Sequence, residues 1–217
     1  MKKILGLVLI GFLCFILVGC ASKSDDDNNS NNNDNKPASD NSKKGIDLTD
    51  NSIFFVVIDG VKYDVKTTLQ DVLDNGYTVL NSVKSNLNKE VKANQAVWDL
   101  IGFKSGENTY FQVKLFNRSD KSSTWAKCTL YEINLHDIWH KNISIVGGLT
   151  FESSMEEIEK VFKDVPSRKT DDPNKGQTIL SYRTTYADGK IGTAKGSFQF
   201  FFDESGNLKS IMMQSNR

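Results

Sequence analysis

Thr67-Thr68-Leu69-Gln70-Asp71-Val72 and Ser153-Ser154-Met155-Glu156-Glu157-Ile158 match class for class. In each, a hydroxyl residue can accept a bond from the backbone of the first helical turn. Three positions later a carboxylate can accept one in return, which is a capping box. Leu69, Val72 and Leu73 form the apolar stripe of the first helix, and Gly76 stops it. Met155, Ile158, Val161 and Phe162 form the stripe of the second. Both helices lead into strands. The first half offers Tyr110–Phe116 and Trp125–Leu135. The second offers Thr178–Tyr186, Ser197–Asp203 and Leu208–Gln214, punctuated by Asp188-Gly189 and Gly206-Asn207. The pattern predicts an α+β fold made of two pseudo-repeats, each a short helix packed on an antiparallel sheet, over residues 46–142 and 143–217.

Just ahead of the first helix, Phe54–Ile58 and Val61–Val65 flank Asp59-Gly60. A two-residue Asp-Gly link between apolar runs predicts a type I′ hairpin, because both central residues need positive φ. Thr78–Lys104 reads ambiguously. Leu80, Val83 and Leu87 fit a weak helix, while the asparagines around them argue against a long one.

Upstream lie two segments of a different kind. Met1-Lys2-Lys3 precedes an apolar run from Ile4 to Val18, and Leu17-Val18-Gly19-Cys20 closes it. That order predicts a lipoprotein signal peptide over residues 1–19, with Cys20 as the lipid anchor through a diacylglycerol thioether. An uncleaved spanning helix is the alternative. Fifteen residues rise only about 22 Å, short of a hydrocarbon core of roughly 30 Å. An ordinary secretory signal ending in cysteine is the other. Of residues 21–45, 21 are Asp, Asn, Ser or Lys. Such a stretch cannot offset its ordering entropy by burial, so residues 20–45 are expected to form a disordered tether.

Composition narrows the function classes. Removing Lys2 and Lys3 from 27 basic side chains leaves 25 against 27 acidic ones, with no basic excess to recruit nucleic acid. Of three cysteines, Cys14 belongs to the signal and Cys20 to the anchor, so Cys128 has no internal disulfide partner. It is expected to be a small core residue.

The stretch Gly148-Leu149-Thr150-Phe151, then Ser153–Ile158, Val161-Phe162 and Pro166, resembles the opening of the β-lactamase-inhibitor-like and small outer-membrane-assembly lipoprotein folds. Those units show a Gly-x-Thr start, a Ser-capped helix and an aromatic-Gly-x-Pro exit. The exit here, Phe162-Lys163-Asp164-Val165-Pro166, lacks the glycine. The resemblance covers residues 143–217, with a fainter echo over 61–135, and the whole arrangement is similar to Gram-positive lipoproteins. It implies a protein-binding, non-catalytic role.

Motifs for chemistry are sparse. His136-Asp137-Ile138-Trp139-His140 resembles the zinc-binding H-E-x-x-H pattern, which places both imidazoles on one face only when helical. Here it follows a strand, has Asp for Glu, and leaves no further histidine as a third ligand. A metal-dependent hydrolase using His136 and His140 is therefore the minor alternative, and no cofactor is expected. Asp171-Asp172-Pro173-Asn174-Lys175-Gly176 lacks the ligand alternation of a calcium loop and reads as a turn. The clustered Glu152, Glu156, Glu157 and Glu159 suit a solvated helix start. Along Trp125–Ile133 one parity, Ala126, Cys128 and Leu130, suits a core. The other presents Trp125, Lys127 and Tyr131 as candidate partner-binding residues, or packs beneath the second sheet. The reading is a non-enzymatic, membrane-anchored extracytoplasmic protein-binding module, with a structural envelope component as the second class.

Overall fold

The Asp59-Gly60 hairpin forms as expected. In the computed structural model, which describes residues 45–79, 81–105, 108–139, 142–183 and 196–215, Asp59 and Gly60 take φ of 49° and 83°. This left-handed pair turns Phe55–Ile58 (β1) back onto Val61–Asp64 (β2), with Ile58 opposite Val61. The other edge of β1 pairs antiparallel with Ile143–Ile145 (β9), giving a three-stranded sheet.

An eight-stranded antiparallel sheet carries the rest. It contains Thr78–Val79 (β3), Ala96–Ser105 (β5), Asn108–Phe116 (β6) and Thr129–His136 (β8) from the first half of the chain. From the second half come Ser167–Asp172 (β10), Gln177–Tyr182 (β11), Gly196–Asp203 (β12) and Leu208–Ser215 (β13). The order is β10-β11-β12-β13-β8-β6-β5-β3. Two short strands, Glu90–Val91 (β4) and Ser123–Thr124 (β7), pair separately.

This arrangement overturns the expected α+β fold of two pseudo-repeats, each a short helix on its own sheet. Strand makes up 47% of the structure and helix 18%. The sheets also ignore the boundary at residue 142. β13 hydrogen-bonds to β8, with Ile211 opposite Leu135 and Met213 opposite Ile133. β9 crosses the other way to reach β1. The physical reason is burial and edges. Helices Leu69–Asp74 (α1) and Met155–Val161 (α3) have only 6 and 7 residues, too few to cover a sheet each. Joining the halves edge to edge lets one core serve both and removes two open edges.

Both capping boxes are present. Thr68 N–H donates to Asp71 Oδ2 at 2.7 Å, and Asp71 N–H returns a bond to Thr68 Oγ1 at 3.1 Å. Ser154 N–H donates to Glu157 Oε2 at 2.8 Å, and Glu157 N–H returns one to Ser154 Oγ at 3.2 Å. The third helix, Asn81–Lys84 (α2), is a single turn.

One face of the large sheet is the core. Phe198, Phe200 and Phe202 alternate inward on β12, as do Phe111, Val113 and Leu115 on β6. At one side Phe162, just past α3, stacks on Tyr182 at 4.4 Å, while Phe54 stacks on Phe198 at 5.2 Å. At the other, Tyr63 and Tyr77 lie 5.6 and 5.4 Å from Phe111. Packing is tight at Gly196, where a Cβ would meet the Gln214 carbonyl and the Phe54 ring. Cys128 is buried as expected, and burial pushes its thiol up to about 11.

The longest strand, β5, lay in the stretch that read ambiguously. A bulge explains the ambiguity. Val97 pairs with Leu115 and Ile101 with Val113, so Trp98, Asp99 and Leu100 together stand opposite Lys114 alone. The two extra residues put exposed Asp99 at the parity shared by buried Val97, Ile101 and Phe103, which interrupts the apolar alternation that reveals a strand.

Candidate functional site

The side chains that alternate away from the core give the large sheet a second, solvent-facing surface. Gln199, Phe201, Met212, Gln214, Asn134 and Lys114 on it are all partly exposed. At its centre sits Glu132, only 4% exposed although it is an acid on an open face. Its neighbours account for this. Lys114 Nζ lies 2.9 Å from Glu132 Oε1 and 3.0 Å from Oε2. Asn134 Nδ2 donates to Oε1 at 2.9 Å, and Gln214 Nε2 to Oε2 at 3.3 Å. Gln214 Nε2 also donates to the Tyr131 hydroxyl at 3.0 Å. Lys114, Asn134 and Gln214 come from three neighbouring strands, β6, β8 and β13. A fully bonded network of this kind holds its side chains in one arrangement before any partner arrives.

The same face continues into a shallow cavity of about 390 Å³. Asn134, His136, Asp137, Phe201, Lys209 and Ser210 line it. Lys209 Nζ donates to Asp137 Oδ2 at 2.8 Å and lies 3.6 Å from Asp203 Oδ2. The bond to Asp137 raises the Lys209 pKa, and backbone N–H bonds led by Asn207 lower that of Asp203. Burial lowers the His136 pKa against the opposing pull of Asp137, favouring the neutral imidazole. The chemistry on offer is hydrogen bonding and ion pairing beside the Phe201 ring and the side chain of Ile138, which is 80% exposed. Among the described residues no group of three or more His, Cys, Asp or Glu side chains could hold a metal ion.

The residues named from sequence scatter. Trp125 opens a 3₁₀ turn, Trp125–Lys127, rather than a strand, and is 3% exposed, with Lys89 Nζ 5.9 Å from its ring centroid. Lys127 is exposed at the end of that turn. Only Tyr131 joins the polar network. The turn is what separates them, because strand parity does not pass through it. His136 ends β8 and Asp137–Trp139 forms another 3₁₀ turn, so the helical spacing a zinc motif needs is missing. His140, Cys20, the signal segment, the tether through Lys44 and Asp188-Gly189 lie outside the described residues.

What sequence reasoning missed is partly a matter of pairing. Glu132, Lys114 and Gln214 carry no motif and are 82 residues apart at the extremes of one contact. Trp98 also carries no motif, and its outward placement follows from the bulge in β5. It is 66% exposed, and Leu100 is 45% exposed. No helix among the described residues is long and apolar enough to cross a membrane. Comparisons with protein-family models, curated proteins and solved structures found no match.

Proposed function

We propose that this chain is a lipid-anchored, extracytoplasmic protein-binding module of the cell envelope, without catalytic activity, held to the membrane through Cys20. The signal-like order of Lys2-Lys3, the apolar run and Leu17-Val18-Gly19-Cys20 supports the anchor. The observation that carries the binding reading is the Lys114–Glu132–Asn134–Gln214–Tyr131 network on a rigid sheet face. Side chains already locked by mutual hydrogen bonds lose little entropy on docking, which favours recognition of a shaped surface.

Photo-crosslinking in intact cells tests this. A crosslinker at Gln199, on the open face, should capture one stoichiometric envelope or extracellular protein. One at Glu156, on exposed α3, should not. Equal capture at both positions, or none at Gln199, would rule out the face as the binding surface and favour a structural envelope component. Cys20→Ser should abolish fatty-acid labelling of the chain; undiminished label would rule out the anchor.

A further inference from the structure

We propose that the Trp98-Asp99-Leu100 bulge is a second membrane contact, which seats the folded domain on the same lipid surface that holds its anchor. The proposal rests on the Cys20 anchor described above. It starts from geometry. Val97 is 6% exposed and Ile101 is fully buried, so both ends of the bulge are clamped in the core while the three residues between them project. A bulge of this kind is a built feature that aims side chains. Here it aims a tryptophan and a leucine into solvent.

The two edges of the large sheet make the contrast sharp. β10 at one edge reads Ser-Arg-Lys-Thr-Asp-Asp, with its first five residues exposed, an arrangement of charges that keeps other surfaces away. Near the other edge, β3 pairs only with Phe103 and Lys104 of β5. Among the described residues no strand pairs with the outer side of Trp98–Leu100. One edge is guarded by charge, and the other carries the exposed apolar pair.

Area and chain length together select a lipid surface as the occupant. A stable protein interface needs roughly 800 Å² from each partner. Trp98 and Leu100 supply a small part of that, and Lys92, Asn94, Gln95 and Asp99, close to them along the chain, are exposed polar residues. Tryptophan is the side chain best suited to a bilayer interface, since its ring is apolar and its N–H still finds water or headgroups. Proximity comes from the anchor. The 24 residues from Ala21 to Lys44 can span at most about 85 Å, whereas eight strands about 4.8 Å apart are only about 34 Å across. Every part of the domain can therefore reach the bilayer. One myristoyl chain alone binds membranes only marginally, so two smaller side chains could not hold a free protein there. They can orient one that is already tethered.

The test uses the lipidated full chain in phosphatidylethanolamine–phosphatidylglycerol vesicles, with a nitroxide placed by Leu100→Cys. Buried Cys128 does not compete for the label, and acylated Cys20 is blocked. The label at 100 should be shielded from a water-soluble relaxation agent and accessible to oxygen. A label at Lys169→Cys, on the β10 edge, should show the reverse. Trp98→Ala should shift the label at 100 back toward water. If positions 100 and 169 are equally exposed to the aqueous agent while mass spectrometry shows an acylated Cys20, the bulge proposal falls and the anchor stands. If Cys20 carries no acyl group, both fall.

Discussion

α1 and α3 begin with the same capping box and end in different surroundings. The start of α1 is stitched to a distant strand: Leu69 N–H donates to the Cys128 carbonyl at 3.0 Å, and Leu130 N–H donates to the Thr67 carbonyl at 2.9 Å. The start of α3 is held locally, with Thr150 N–H donating to Ser153 Oγ at 3.0 Å. Leu69 is fully buried, while Met155, its counterpart in the sequence match, is only partly so. In α3 the buried position is Ile158. The same local signal thus starts a helix in both places, and long-range pairing decides which of its residues the core takes.

The largest effect should come where that pairing is densest. Leu69→Ala removes a fully buried side chain and should cost about 2–5 kcal/mol in urea or thermal melts, within the range for buried leucines. Met155→Ala should cost roughly 1–2 kcal/mol, since a half-buried side chain leaves less cavity behind. Equal losses would mean the two helices are equivalent after all. Ile158→Ala sharpens the point, because it should match Leu69→Ala rather than Met155→Ala.

The caps, unlike the buried side chains behind them, should not distinguish the two helices. Thr68→Ala and Ser154→Ala each delete a bond to the first turn and should each cost about 1 kcal/mol. If Thr68→Ala cost far more, the cap and the stitch to β8 would be acting as one unit, which a double mutant with Leu130 could resolve.

The smallest effect lies at the far end of β8, the strand to which α1 is stitched. His136 has a folded pKa below its ordinary 6.5, chiefly through burial. The unfolded chain therefore binds the proton more readily. Its contribution is complete above pH 6.5 and should decline as pH falls from there toward the lowered folded value. His136→Gln should flatten that part of the stability–pH curve, and an unchanged slope would remove His136 as its source. At Cys128, whose pKa is about 11, native protein should resist thiol reagents at pH 8 and react only on unfolding.

The local features were legible because their causes are local. Both capping boxes, the Asp59-Gly60 turn and the alternation of Phe198, Phe200 and Phe202 follow from spacing within a few residues. β10 was not legible, since Ser-Arg-Lys-Thr-Asp-Asp has neither apolar alternation nor β-branched density and is held as a strand by its partner β11. β5 was hidden by its own bulge. The candidate site was legible only at Tyr131. Trp125 misled because a 3₁₀ turn interrupts what looks like continuous strand parity, and that turn is set by where Lys89 and Leu87 hydrogen-bond.

Reading along the chain was enough for the helix starts, the Asp59-Gly60 hairpin and the inward row of Phe198, Phe200 and Phe202, all of which depend on side chains close together in sequence. Tertiary structure alone decided that the two halves share one sheet, that Glu132 is enclosed by residues from β6, β8 and β13, and that Trp98 points outward. Those outcomes depend on strand register, and register is chosen by which pairing buries the most apolar surface with its backbone groups bonded.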